Sequence, residues 1–136
     1  MARRFLFVDD SATVRAFLKR LVRIAGYTEE KIVEAENGAD AIKRLKEQSF
    51  DLVVTDLHMP VMTGIQLVKI MGVSPELRRI PVIVLSSDGS ELRIEELKKA
   101  GASLFLRKPC TPETIRDALV HTLGEKPEPP AAPGTT

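Results

Sequence analysis

Residues 5–10 read Phe5-Leu6-Phe7-Val8-Asp9-Asp10, four apolar side chains without alternation and then two carboxylates. A strand with one wet face alternates apolar and polar residues. A strand covered on both faces need not, and unbroken apolar runs mark parallel sheets sandwiched between helices. Leu52-Val53-Val54 and Val82-Ile83-Val84-Leu85 read the same way. Working outward, five strands are predicted: Arg4–Val8, Lys31–Ala35, Leu52–Thr55, Pro81–Ser86 and Leu104–Arg107.

Helical patterns fill the intervals. Val14, Phe17, Leu18, Leu21, Val22 and Ala25 recur at helical spacing, with Gly26 as the stop. Asn37 caps a second helix carrying Ala41, Ile42 and Leu45. Ile65, Val68 and Met71 mark a third that ends near Gly72. Ser90 caps a fourth with Ile94 and Leu97, closed by Gly101. Thr111-Pro112-Glu113 starts a fifth, with proline where a missing N–H costs nothing. Strand and helix thus alternate five times. Right-handed crossovers turn that order into an α/β fold, a (βα)5 doubly wound parallel sheet. Residues 1–124 form this domain, and 125–136, EKPEPPAAPGTT, read as a disordered Pro-rich tail or a truncated linker.

Composition narrows the function. Twenty basic against 19 acidic residues give a formal charge of +1, which argues against broad electrostatic binding to nucleic acid or an anionic membrane. No apolar stretch is long enough to span a bilayer, no signal-peptide pattern opens the chain, and Cys110 is the single cysteine. The expectation is a cytoplasmic protein with no direct nucleic-acid or membrane partner.

Ligand sites of open parallel sheets lie at the carboxyl ends of the strands. Asp9 and Asp10 follow the first strand, Asp56 the third, Ser86, Ser87 and Asp88 the fourth, Lys108 and Pro109 the fifth. If the first and third strands are neighbours, three carboxylates converge. Like charges that close oppose ionisation unless a cation compensates. Mg²⁺ takes oxygen ligands, one or two carboxylates and often a phosphate. Lys108 adds a positive charge and Ser86 a hydroxyl donor. A carboxylate can itself be the nucleophile, forming an aspartyl phosphate. Singly, each residue has a plainer reading: Asp9-Asp10-Ser11 as a helix cap, Asp56 as a turn residue, Lys108 as a solvated loop lysine, Ser86 as structural. Their joint occurrence at four strand ends favours a phosphoryl site.

The segments FLFVDDS, AENGADAI, DLVVTDLHMPVMTG, IPVIVLSS and GASLFLRKP, in this order, resemble the receiver domain of bacterial two-component response regulators, from about Arg3 to Leu123. The resemblance implies a flavodoxin-like sheet of strand order 2-1-3-4-5, as in the chemotaxis members. It implies that Asp56 is the phosphoacceptor for a histidine kinase or phosphotransfer protein. Asp9, Asp10, Asp56 and the backbone carbonyl of His58 would be the Mg²⁺ ligands. Ser86 and Lys108 match the phosphoryl contacts, and Ser86 with Phe105 the switch pair. Pro109 matches a proline usually preceded by a cis bond. The His58 and Asp88 side chains fall at positions that tune phosphoryl lifetime. Downstream targets would dock on the face of the fourth helix, fifth strand and fifth helix. Such a protein is a signalling switch rather than an enzyme, catalysing only its own phosphorylation and slow dephosphorylation. Two alternatives stay open: an aspartate-nucleophile phosphohydrolase, for which His58 stands where a general acid is expected, and a pseudo-receiver that only binds. Phe105 has a second, plain reading as a static core aromatic.

Overall fold

The computed structural model describes residues 3–87 and 91–124. Its elements are β1 (Arg4–Val8), α1 (Ala12–Ile24), β2 (Lys31–Ala35), α2 (Gly38–Glu47), β3 (Leu52–Asp56), α3 (Gly64–Val73), β4 (Val82–Ser86), α4 (Glu91–Ala100), β5 (Leu104–Arg107) and α5 (Pro112–Leu123). The five strands form one parallel sheet in the order β2-β1-β3-β4-β5.

Alternation along each strand divides the core in two. Phe5, Phe7, Leu52, Val54, Ile83 and Leu85 face α1 and α5, where Leu18, Leu21, Val22, Ile115 and Leu119 cover them. Leu6, Val8, Val53, Val82 and Val84 face the other way, under Ala41, Leu45, Leu67, Val68, Met71 and Leu97. Both faces of the sheet are therefore dry, which is why the strands carry continuous apolar runs. Burial of such a side chain contributes about 1.5–3 kcal/mol.

Local chemistry sets the helix ends. Asn37 accepts the Asp40 N–H and starts α2. Thr63 with Gln66, and Thr111 with Thr114, each form a reciprocal capping box, and Pro112 sits in the first turn of α5. Gly26 and Gly101 take positive φ after α1 and α4 (109° and 114°), a conformation that L side chains rarely adopt.

α3 ends at Val73, next to Gly72 as expected, and a β-carbon on Gly72 would stand 2.5 Å from the Ala100 carbonyl oxygen, so the glycine lets α3 and α4 approach. Two expectations need correction. Phe17 has core spacing yet is 50% exposed, because it lies at the edge of the α1 stripe. Pro81 precedes β4 rather than opening it; its carbonyl accepts from Val53 N–H, but it has no N–H to give the ladder. Asp88, Ser90 and residues 125–136 lie outside the described residues. Among the described residues no helix is long and apolar enough to cross a membrane.

Candidate functional site

Strand register assembles the site. Val8 pairs with Thr55, so the next residues, Asp9 and Asp56, emerge side by side at the carboxyl edge of β1 and β3. Asp56 pairs with Leu85 and Ser86 with Arg107, which carries Ser86 and then Lys108 to the same edge. Residues distant in sequence thus meet because a parallel sheet ends all its strands on one side.

One carboxylate oxygen each from Asp9, Asp10 and Asp56 lie within 4.8 Å of one another. The Lys108 ammonium is 3.2 Å from Asp56 Oδ1 and 3.4 Å from Asp9 Oδ2. Asp9 is buried, Asp56 half-buried and Asp10 exposed. Burial, with a further push from Asp56, raises the Asp9 pKa against the Ser11 N–H and the Lys108 charge. Burial alone would lower the Lys108 pKa, but the charges of Asp56 and Asp9 outweigh it and the pKa is raised. The ammonium is therefore held charged against the acids.

The donor set fits a hard divalent cation. It is all oxygen, offers three carboxylates within one ion's reach, and its most deeply buried member pays for its charge in a raised pKa. Asp9, Asp10 and Asp56 would hold such an ion. His58 follows two residues after Asp56 with its side chain exposed.

Ser86 is buried at the end of β4, with its carbonyl accepting from Lys108 N–H at 3.0 Å. The Lys108–Pro109 peptide bond is cis. Phe105 pairs with Val84 and is half-buried against the α3–α4 side of the core, the side that also takes Val84 and hence, by alternation, Ser86. With Ile94, Leu97, Lys98 and Ala102 it lines a cavity of about 210 Å³. Cys110 is buried among apolar neighbours, and that burial raises its thiol pKa.

Sequence reasoning missed two supports of the site. Gly64 packs so closely under β3 that a β-carbon would collide with the Asp56 carbonyl oxygen and come within 2.9 Å of Leu57 Cα. Arg15 donates to the Asp9 carbonyl oxygen and to Glu34. Gly64 belongs to the MPVMTG pattern, but its reason is a contact across the loop. Arg15 carried no signal beyond a charge on the first helix.

The chain matches the model of the response regulator receiver domain over residues 5–120. It is 40% identical over 120 residues to the chemotaxis protein CheY of Thermotoga maritima, across 88% of this chain and 96% of that protein. It is 36% identical over 116 residues to the chemotaxis protein CheY-3 of Vibrio cholerae, across 85% of this chain and 88% of that one. Among solved structures, the chemotaxis response regulator CheY4 of Vibrio cholerae superposes with a TM-score of 0.81 at 29% identity, covering 90% of this chain and 100% of that chain.

Proposed function

Because this chain belongs to the response regulator receiver domain family of two-component signalling, we propose that it is a phosphorylation-controlled switch whose acceptor is Asp56. The observation that carries this reading is the convergence of Asp9, Asp10 and Asp56 with the Lys108 ammonium at one edge of the sheet. A histidine kinase or phosphotransfer protein is the donor class. An Asp56 carboxylate oxygen forms the new bond to phosphorus as the donor's phosphorus–nitrogen bond breaks, and the electron pair leaves with the imidazole nitrogen. Asp9, Asp10, Asp56 and the His58 carbonyl would hold Mg²⁺, which when bound neutralises charge on the transferring oxygens. Lys108 places a second positive charge on the acceptor side.

The switch follows from the added charge. A phosphoryl group brings about −1.5 to −2 and three acceptor oxygens. A hydrogen bond to a charged group contributes about 1.5–3 kcal/mol, whereas moving an equilibrium from 1:99 to 99:1 takes about 5.5 kcal/mol. The Ser86 hydroxyl alone falls short, so Lys108 shares the bias. As Ser86 moves to donate, space opens on the side of the sheet it shares with Phe105. Phe105 turns inward, and the face of α4, β5 and α5 presented to a target protein changes.

The test is labelling by acetyl phosphate with Mg²⁺, read by intact mass. Wild type should take one phosphoryl group and Asp56→Asn none. Stoichiometric aspartyl phosphate in Asp56→Asn would refute the acceptor. A Ser86→Ala variant should still be labelled but lose the labelled form's gain in binding to its target.

A further inference from the structure

We propose that Arg15 is a positioning residue for the acidic pair, setting the geometry of Asp10 through the main chain of Asp9. The proposal rests on the reading of Asp9 and Asp10 as Mg²⁺ ligands. Arg15 lies in the second turn of α1, and its guanidinium reaches two acceptors on different elements. Nη1 donates to the Asp9 carbonyl oxygen at 2.5 Å and Nε to Glu34 Oε1 at 2.8 Å. Lys19, one turn further along α1, donates to the other Glu34 oxygen at 2.9 Å. Glu34 on β2 thus anchors the guanidinium, and two hydrogen bonds from Lys19 and Arg15 hold its carboxyl below the usual range.

The Asp9 carbonyl belongs to the peptide plane joining Asp9 to Asp10. Every other polar group of Asp9 is also held. Its N–H donates to the Ala35 carbonyl at 3.1 Å, Oδ1 accepts from Ser11 N–H at 2.9 Å, and Oδ2 faces Lys108 at 3.4 Å. Arg15 closes this set and fixes the plane from which the Asp10 side chain departs. Asp10 is exposed, and its backbone sets the Cα–Cβ direction from which its carboxylate reaches the shared site. Arginine suits the task because its planar fork serves two acceptors at fixed angles, whereas a lysine ammonium is a point charge on a flexible stem. At 15% side-chain exposure the guanidinium is mostly shielded from water.

Geometry and charge predict opposite signs, and that makes the role testable. A cation beside a metal site opposes metal binding, so removing one should tighten it if charge is all that matters. Arg15→Gln removes the charge and the fork. Under the proposal it weakens Mg²⁺ binding, measured by calorimetry, by roughly tenfold, the lower end of what loss of a ligand-orienting partner costs. Arg15→Lys keeps the charge and should weaken it comparably. Labelling by acetyl phosphate should recover in both variants to within about twofold of wild type once Mg²⁺ is raised to saturation, and Lys19→Ala should leave Mg²⁺ affinity within about twofold. Unchanged or tighter Mg²⁺ binding in Arg15→Gln, or wild-type affinity in Arg15→Lys, would overturn the role of Arg15 alone. A wild-type protein that takes neither Mg²⁺ nor phosphoryl would overturn the site reading along with it.

Discussion

Lys108 Nζ stands 3.2 Å from Asp56 Oδ1, so an acid at the end of β3 and a lysine at the end of β5 share one ion pair across the intervening strand β4. The Lys108 side chain is 29% exposed and that of Asp56 13%, between a surface pair and a buried one. Exposed pairs contribute about 0–1 kcal/mol, while breaking a buried pair costs about 3–5 kcal/mol. Lys108→Ala should therefore destabilise the metal-free protein at neutral pH by about 1–2 kcal/mol in urea unfolding. The same variant should bind Mg²⁺ no more weakly than wild type, since ammonium and metal compete for the same oxygens. Because the folded Lys108 pKa is raised above its ordinary 10.5, its contribution is complete below that pH and is lost as pH rises through the folded value. A Lys108→Ala protein as stable as wild type at pH 7 would show that the pair contributes nothing.

Gly64 gives a second, steric handle on Asp56. Gly64 N–H donates to the Leu57 carbonyl at 2.9 Å, which seats the start of α3 directly against the end of β3. Alanine at this position drives its methyl into the Asp56 carbonyl and Leu57 Cα, both main-chain atoms that cannot swing aside. Overpacking of this kind costs about 1–3 kcal/mol. Gly64→Ala should lower the urea midpoint accordingly and also slow labelling by acetyl phosphate, because the atoms displaced belong to the proposed acceptor. Loss of stability with labelling unchanged would separate Gly64 from the site.

Much of this site was legible in sequence because a parallel sheet converts strand ends into neighbours. Once FLFVDD, LVVTD and VIVLSS were read as strands, Asp9, Asp56 and Ser86 had to emerge on one edge. Helix caps such as Asn37 and Thr111 were legible for a similar reason, since each acts within a few residues of itself. What was hidden depends on contacts between elements. Phe17 fits the helical period of α1 but lies at the edge of the covered stripe, and Gly72 marks the end of α3 without revealing that the Ala100 carbonyl of another helix requires a glycine there. Glu34 reads as one polar residue on a strand, and only the fold brings Arg15 and Lys19 to it.

That triad should show in the pH dependence of stability. The folded Glu34 pKa lies below its ordinary 4.5, through hydrogen bonds from Lys19 and then Arg15. A depressed acid contributes stability above its unfolded pKa and loses it as pH falls through the folded value. Glu34→Gln should thus be less stable than wild type at pH 7, and the two melting curves should converge in the acid range below pH 4.5. A gap that stayed constant down to acid denaturation would mean that the carboxylate charge is not what matters.

The loop that follows Asp56 holds a residue against its preference. Val61 has φ of 69° and is 82% exposed, so a β-branched side chain occupies the left-handed region with almost no packing in return. For an ordinary L residue that conformation costs about 1–2 kcal/mol. Glycine would relieve the clash but add about 0.5–1 kcal/mol of backbone entropy to the unfolded chain. Asparagine enters this region more easily and keeps a side chain, so it should return more of the strain. Val61→Asn is expected to stabilise the protein by about 1 kcal/mol and raise Tm by roughly 3–5 °C, with Val61→Gly gaining less. Since the valine buries so little, no lost packing should offset the gain. A Tm equal to or below wild type in Val61→Asn would mean that the loop holds Val61 through a contact worth more than the strain.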